Sequence, residues 1–156
     1  MSGDAFRCAG EGIVSGGQKI RFRGAYGEVL AARAWCCTFP GTLEQVVRAR
    51  HWTGEALGDA PFLDDAVSIV AELCANALRH TASGKGSGVF HLALTVSRWG
   101  VTLSVTDQGG SVGVPELKPL DRESENGRGV YLVSKLARRV VIRRVSGCYR
   151  VTADVI

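Results

Sequence analysis

The clearest periodic pattern in the chain is an apolar stripe between residues 63 and 81. Apolar side chains recur there at the spacing of a helix that packs on a core, at Val67, Val70, Leu73, Cys74, Ala77 and Leu78. Asp64 and Asp65 stand in the first turn, where the helix dipole favours negative charge. The pattern predicts one long helix, around which the other elements are organised.

The segment before this helix predicts a strand and a second helix. Alternate side chains over residues 34–39 are apolar, which is typical of a strand with one buried face. Thr42 and Gln45 have the spacing of a capping box that opens a helix, and Gly58 is expected to end it. The inner side of this helix is predicted to carry Leu43, Val46, Val47 and Leu57.

Two antiparallel hairpins are predicted after the long helix. Residues 89–97 and 101–105 alternate apolar side chains on one face and are separated by a tight turn. Residues 140–145 and 148–156 form the second pair, around a Ser-Gly turn. The mixture of elements predicts an α+β fold, a two-layer α/β sandwich with a mixed, mainly antiparallel sheet and helices on one face.

The N-terminal segment and the segment between the hairpins have little periodicity. Residues 1–30 are interpreted as a flexible segment or a marginal edge hairpin, and residues 31–156 as the folded domain. Residues 111–126 contain glycine and proline breaks and a charged run, which predicts a loop that closes as a lid.

The lid ends at a glycine-rich helix start, Gly127-Arg128-Gly129. Free backbone amides and the positive end of the helix dipole converge at such a position, which favours an anion. A plain turn is the alternative for a Gly-x-Gly before a helix. The apolar positions of the helix that follows are Leu132, Val133, Leu136 and Ala137.

Polar side chains form a row along the long helix. Glu72, Asn76 and His80 follow one another at i, i+4 and i+8. A carboxylate one turn from a carboxamide offers a proton acceptor beside an oxygen ligand for hydrated Mg²⁺. A solvated edge of an amphipathic helix gives the same pattern, so both interpretations stay open.

Asp107 follows a predicted strand and shares the parity of its apolar residues. Its carboxylate is therefore expected on the buried side, where a charge without partners is costly. Gly109 and Gly110 come next, and their missing side chains would let a flat ligand approach the backbone. An Asx turn that closes the strand is the alternative.

In combination, these motifs resemble the GHKL, or Bergerat-fold, ATP-binding domain, and the likeness covers residues 34–156. ELCANALRH resembles the N box of that family, VTDQGG its first glycine box and GRGVYLVSKLARR its second. FPGTLEQVVRARHW resembles the segment that precedes them, in the subgroup of anti-sigma factor serine/threonine kinases. The first glycine box departs from the common Asp-x-Gly-x-Gly spacing.

The resemblance implies an ATP site with Mg²⁺. Glu72 would be the catalytic base and Asn76 the metal ligand, while Asp107 would bind the adenine amino group in a pocket shaped by Gly109. His80 falls at a motif position that serves either packing or ligand contact. Phosphate contacts are implied for Gly127, Arg128 and Gly129.

The resemblance also implies a function, a protein kinase that phosphorylates an anti-sigma factor antagonist, with a sigma factor as a second candidate partner. The alternative is an ATP-dependent protein-interaction module without physiological phosphoryl transfer. Relatives of this kind are commonly dimers, so a homodimer is an open possibility.

Composition adjusts this picture only slightly. The net charge of +4 suggests a weak preference for an acidic protein partner or nucleotide. Basic residues are interpreted as dispersed and are not interleaved with stacking aromatics, so direct nucleic-acid binding is not expected. No apolar run reaches the length of a membrane span, and no signal-peptide pattern opens the chain, so a cytoplasmic protein is expected. The five cysteines lack zinc-site spacing.

Overall fold

The computed structural model describes residues 17–23, 29–110 and 128–156. The helices and strands of these ranges are, in chain order, β1 Gln18–Arg23, β2 Val29–Pro40, α1 Leu43–Leu57, α2 Leu63–His80, β3 Val89–Ser97, β4 Gly100–Thr106, α3 Arg128–Leu136, β5 Arg139–Val145 and β6 Cys148–Val155. A single 3-10 turn, Ala82–Gly84, follows α2.

The described strands form one sheet with the spatial order β1-β2-β3-β4-β6-β5. All five neighbouring pairs are antiparallel, so the described part of the sheet has no parallel pair. Ser146 and Gly147 join β5 to β6 with positive φ angles of 51° and 83°, the backbone conformation of a type I′ hairpin. Both predicted hairpins are therefore confirmed.

The helices pack on one face of this sheet, and the core lies between the two layers. α1 and α2 lie side by side on the central strands, and α3 packs on α2 and β5. The Phe39 ring stacks on Phe90 with centroids 5.3 Å apart and meets Trp52 edge-on at 6.1 Å. The core includes Ile69, Val70, Leu92, Leu94, Leu103, Val133 and Ala153. The predicted two-layer α+β architecture is confirmed.

α2 is the central helix that the apolar stripe predicts. Ile69, Val70 and Cys74 have no exposed surface because they face the sheet. Burial raises the pKa of the Cys74 thiol well above its ordinary value, so this cysteine stays protonated and acts as an apolar side chain.

Two predictions for α1 are wrong. Thr42 occupies the N-cap position, but its side chain makes no capping hydrogen bond, so the capping box does not form. Leu43 and Val47 were expected on the inner side, yet they are 75% and 51% exposed. The other two predicted inner residues, Val46 and Leu57, do pack against the core, and Gly58 ends the helix as expected. Ala49, Trp52 and Thr53 are the buried residues of the helix. The large Trp52 ring sets this orientation because it packs against Phe39 of the sheet.

The sheet extends beyond the strand that alternation predicts at its N-terminal end. β1 pairs along its whole length with the first half of β2, from Gln18 opposite Ala34 to Arg23 opposite Val29. For residues 18–23 the edge-hairpin interpretation therefore holds, while residues 1–16 and 24–28 lie outside the described ranges. The division of the chain at residue 30 stays a prediction.

The third helix is partly as expected. α3 begins at Arg128, and of its predicted apolar positions Val133 is fully buried, whereas Leu132 is 38% exposed. The predicted lid, residues 111–126, and Gly127 lie outside the described residues. Among the described helices, none is long and apolar enough to cross a membrane.

Candidate functional site

Asp107 is a buried carboxylate directly after β4, with 6% of its surface exposed. Its Oδ1 accepts hydrogen bonds from the backbone amides of Gly109 at 2.7 Å and Tyr149 at 3.0 Å. Its own amide donates to the Tyr149 carbonyl at 2.9 Å. The predicted orientation toward the buried side is confirmed, and the Asx turn that was the alternative also forms.

The second oxygen of Asp107 is the free end of this carboxylate. Both bonds go to Oδ1, and Oδ2 accepts none from the part of the chain that the structure describes. No buried side-chain oxygen or nitrogen in those ranges lacks a partner, so Oδ2 must be in contact with solvent. A carboxylate oxygen held in this way accepts a hydrogen bond from an amino group and repels a carbonyl. The Asx turn therefore orients a ligand-binding oxygen.

Gly109 allows this turn to pack closely against the turn between β5 and β6. Its φ is +67°, and a Cβ at this position would overlap the backbone carbonyl oxygen of Gly147. Its carbonyl accepts a hydrogen bond from the Ala82 amide at 2.7 Å. The sequence predicted that a side chain is excluded here to admit a ligand. In the structure, the backbone of the β5–β6 turn is what leaves no room for a side chain at Gly109.

Ser83 ties the end of α2 to the end of β4, and the sequence analysis missed it. The residue is fully buried, and its Oγ accepts a hydrogen bond from the Gln108 amide at 2.9 Å. Its own amide donates to the Thr81 hydroxyl at 3.1 Å, while that hydroxyl donates to the Ala77 carbonyl at 2.6 Å. Thr-x-Ser directly after a helix is typical of such hydroxyl caps, but the partner amide of Gln108, which follows β4, leaves no local signal.

Glu72 lies against the start of α3. A Cβ added at Gly129 would overlap the Glu72 Oε2 atom, so the carboxylate contacts the backbone of the first turn of α3. The structure therefore brings together two predicted site residues that are far apart in the sequence. Negative charge is favourable at a helix start.

A carboxylate and a bound phosphate would repel each other at this position. The repulsion is removed when a divalent cation lies between them, so the arrangement of Glu72 at the α3 start fits a metal-bound phosphate better than a free one.

Asn76 provides the neighbouring carboxamide. It is half-buried on α2, one helical turn or roughly 6 Å along the axis from Glu72. Its side chain makes no hydrogen bond with the described residues, so its amide oxygen is available to a ligand. Those residues contain no cluster of three or more His, Cys, Asp and Glu side chains. A divalent ion would thus rely on ligand oxygens and water, as Mg²⁺ commonly does.

The remaining predicted site residues are less well defined. His80 is exposed at the last position of α2, near the negative end of the helix dipole. Arg128 begins α3, and its phosphate contact stays a prediction, as does the ligand role of His80. Gly127 lies outside the described residues. The structure brings Glu72, in the middle of α2, to Gly129, and it brings Asp107 to Gly109 beside the segment that follows α2.

A comparison with family models matches residues 39–154 to the histidine kinase-like ATPase domain. A comparison with curated proteins found no match. The matched range includes the three helices and every candidate site residue named above.

Proposed function

We propose that this chain, which belongs to the histidine kinase-like ATPase family, is a regulatory protein kinase that transfers phosphate from Mg-ATP to a serine or threonine of an anti-sigma factor antagonist. Family membership supports ATP binding and a regulatory role. The acceptor class rests on the likeness of the three motifs to anti-sigma factor kinases. The observation that carries the proposal is the Glu72 carboxylate against the start of α3, one turn from Asn76.

The Asp107 turn, beside the segment after α2, and the start of α3, beside Glu72 in the middle of α2, would supply the two ends of a nucleotide site. At one end, Asp107 Oδ2 would accept a hydrogen bond from the exocyclic amine of adenine, while the Gly109 and Tyr149 amides keep the carboxylate in place. At the other end, the backbone amides at the start of α3 would donate to phosphate oxygens. Mg²⁺, when bound, neutralises phosphate charge, and Asn76 would hold it through the amide oxygen.

Glu72 would then act as the proton acceptor. The hydroxyl oxygen of the acceptor residue attacks the γ-phosphorus, the bond from this phosphorus to the β–γ bridging oxygen breaks, and ADP leaves. Glu72 takes the hydroxyl proton. Phosphoryl transfer needs mainly positioning and charge neutralisation, so one carboxylate beside a helix start is a sufficient protein contribution.

The base-binding end is tested by Asp107→Asn. Asparagine keeps an acceptor for the two backbone amides but replaces the other oxygen by an NH₂ donor, so ATP affinity should fall about 10- to 100-fold. Isothermal titration calorimetry with and without Mg²⁺ measures this. Asp154→Asn is the matched control, because that carboxylate accepts from Thr102 away from the site. Wild-type protein that binds no ATP would contradict the proposal.

The catalytic end is tested by Glu72→Gln, which preserves shape and removes the proton acceptor. ATP binding should persist while labelling of a candidate antagonist from radioactive ATP disappears, with a loss of roughly 10²-fold or more. Labelling that persists in the Glu72→Gln variant would show that Glu72 is not the proton acceptor. A wild-type protein that binds the antagonist only with ATP, and never labels it, would instead be the interaction module without phosphoryl transfer.

A further inference from the structure

The net positive charge of this protein comes from its C-terminal segment. Residues 128–156 contain seven lysines and arginines and one acid, Asp154, whereas residues 1–127 contain twelve basic and fourteen acidic residues. The expectation that basic residues are dispersed holds for residues 1–127 and is wrong for the C-terminal segment. The net charge of the whole chain conceals a slightly acidic body and a strongly basic end.

The fold gathers this charge on the β5–β6 hairpin. Four arginines there and a fifth directly before β5 are exposed, and within the described ranges none of them forms an ion pair. They are Arg138, Arg139, Arg143, Arg144 and Arg150. We call this set the arginine hairpin.

Two of these arginines lie directly opposite each other. Arg143 of β5 pairs in register with Arg150 of β6, on the sheet face that points away from the helices. Like charges at a cross-strand position destabilise a sheet. The Arg150 Nε donates to the Thr106 hydroxyl at 3.0 Å, which holds this side chain on the β4 side of its strand, away from β5. Arg143 is therefore left without a partner among the described residues at the outer side of the pair, and an anion bound there would offset the remaining repulsion.

Asp154 is the one acid on this face of the hairpin. Its Oδ1 accepts a hydrogen bond from the Thr102 hydroxyl at 2.7 Å, and it forms no ion pair with its cross-strand neighbour Arg139 in the described structure. The hairpin therefore has little acidic compensation of its own.

The outer edge of β5 is open in the described sheet, because β5 is the last strand in the spatial order. The two-residue turn makes Val145 and Cys148 the closing hydrogen-bonded pair, and such pairs alternate along an antiparallel ladder. Residues 140, 142 and 144 therefore direct their N–H and C=O groups away from β6, toward an additional strand.

We propose that the arginine hairpin is a docking site for an acidic, extended polypeptide segment of a protein partner, which adds to β5 as a seventh strand. Backbone hydrogen bonds at the open edge would give affinity, and carboxylates at alternate positions would lie beside Arg139 and Arg143. This inference does not rest on the proposed kinase activity.

The surroundings favour a polypeptide over a nucleic acid. Single-stranded nucleic acids require aromatic side chains on which bases stack. The open face next to the arginines carries small and hydroxyl-bearing residues in register, namely Ala93, Ser104 and Thr152. Tyr149 belongs to the opposite face, where the Arg144 guanidinium lies 6.0 Å from its ring centroid. If the arginines served only to prevent another sheet from pairing with the β5 edge, cations on β5 would suffice, whereas Arg150 lies on β6.

The charge part of the proposal is tested with the full chain and labelled peptides, by fluorescence anisotropy. A peptide of alternating Glu and Thr, as long as the seven residues of β5, should bind, whereas the same peptide with Gln in place of Glu should not. Arg143→Gln/Arg150→Gln should weaken binding roughly fivefold to tenfold. The matched control is Arg48→Gln/Arg50→Gln, which removes equal charge from exposed positions on α1 and should leave affinity unchanged.

The strand-addition part is tested by Arg144→Pro against Arg144→Gln. Both variants lose the cation, but only proline also removes the outward N–H of residue 144, so it should weaken binding several-fold further. Circular dichroism establishes that each variant is folded, and a charge reversal, Arg143→Glu, should transfer preference to a Lys-Thr peptide.

Three results would overturn the proposal. Equal loss in the α1 control would indicate unspecific attraction by net charge. A labelled single-stranded DNA that binds more tightly than the acidic peptide, with the same dependence on Arg143 and Arg150, would make the hairpin a nucleic-acid surface. Identical affinities for the two Arg144 variants would exclude pairing along the β5 edge.

Discussion

At the residue scale, the glycines of the candidate site differ in what surrounds them. Gly109 meets a backbone carbonyl that cannot move without the β5–β6 turn, and its φ is positive. Gly129 meets the end of the flexible Glu72 side chain. A methyl group therefore has opposite consequences at the two positions, structural at Gly109 and chemical at Gly129.

Gly109→Ala should lower the free energy of unfolding by about 3 kcal/mol or more, because strain from the positive φ adds to the overlap with Gly147. Gly86→Ala is the control, since Gly86 has a φ of +56° but open space around its Cβ position. That change should cost only about 1–2 kcal/mol. Urea denaturation measures both, and equal values would show that the Gly147 contact is unimportant.

Gly129→Ala should leave the free energy of unfolding within about 0.5 kcal/mol of the wild type, because the Glu72 carboxylate can rotate away. The displaced carboxylate would no longer lie at the start of α3, so phosphoryl transfer should fall by about 10²-fold. A single-turnover assay measures the transfer. Unchanged transfer would mean that the position of this carboxylate is irrelevant.

At the element scale, side-chain hydrogen bonds between the end of α2 and the end of β4 position the candidate site, and they contribute more than side-chain caps at the helix starts do. The Thr81 hydroxyl both donates and accepts within buried structure, and Ser83 continues the connection to Gln108. Thr42 has the sequence signature of a cap but makes no side-chain cap bond. Sequence spacing identifies residues that can cap, and tertiary packing decides which of them do.

Thr81→Val should therefore destabilise the protein by about 1–3 kcal/mol, because it leaves the buried Ser83 amide without a partner. Thr42→Val should change stability by less than about 0.5 kcal/mol, although an N-cap threonine normally contributes about 1 kcal/mol. Chemical denaturation of the two variants provides the comparison. A larger loss of unfolding free energy for the Thr42 variant than for the Thr81 variant would show that Thr42, and not Thr81, makes the important capping bond.

Helices and strands were predicted correctly where the hydrophobic periodicity is strong and the turn residues on both sides agree with it. The apolar stripe of α2 and the alternation of β3 and β4 are local patterns, so their bounds follow closely from the sequence. β1 has weak alternation and exists as a strand because β2 supplies its hydrogen bonds. The face of α1 was misjudged only in part, because Val46 and Leu57 pack against the core as predicted, while Trp52 is buried there and Leu43 and Val47 are exposed.

At the scale of the whole molecule, the two faces of the sheet have different chemistry. The helical face holds the core, and the opposite face carries a polar row in register, Thr38, His91, Thr106, Arg150 and Arg143. His91 Nδ1 lies 2.8 Å from the Thr38 hydroxyl. Burial, and then the nearby Arg150 charge, lower the pKa of His91 from its ordinary value of 6.5.

Protonation of His91 should therefore favour the unfolded state. With the folded pKa below the unfolded one, the stabilising contribution is present above about pH 6.5 and is lost as the pH falls below that value. Between about pH 7 and pH 5, the wild type should lose more unfolding free energy than His91→Gln. His51→Gln, at an exposed position of α1, should follow the wild type. Parallel curves for all three proteins would refute the assignment.

The site as a whole was predictable only in part. Strand parity placed Asp107 on the buried side, because the period of two is a property of the local chain. The contact between Glu72 and Gly129 depends on how α3 packs on α2, and no spacing in the sequence encodes that approach. The partners of Asp107 were equally hidden, since a backbone amide such as that of Tyr149 carries no residue-specific signal.

The strand β6 connects the Asp107 turn of the candidate site to the arginine hairpin. Its Tyr149 amide holds the Asp107 carboxylate, and its next residue, Arg150, belongs to the arginine hairpin. If a polypeptide bound at the arginine hairpin shifts β6, the affinity of the Asp107 site for its ligand must change as well. Thermodynamic linkage then makes the coupling free energy reciprocal, so a nucleotide would alter the affinity for the docked segment by the same factor.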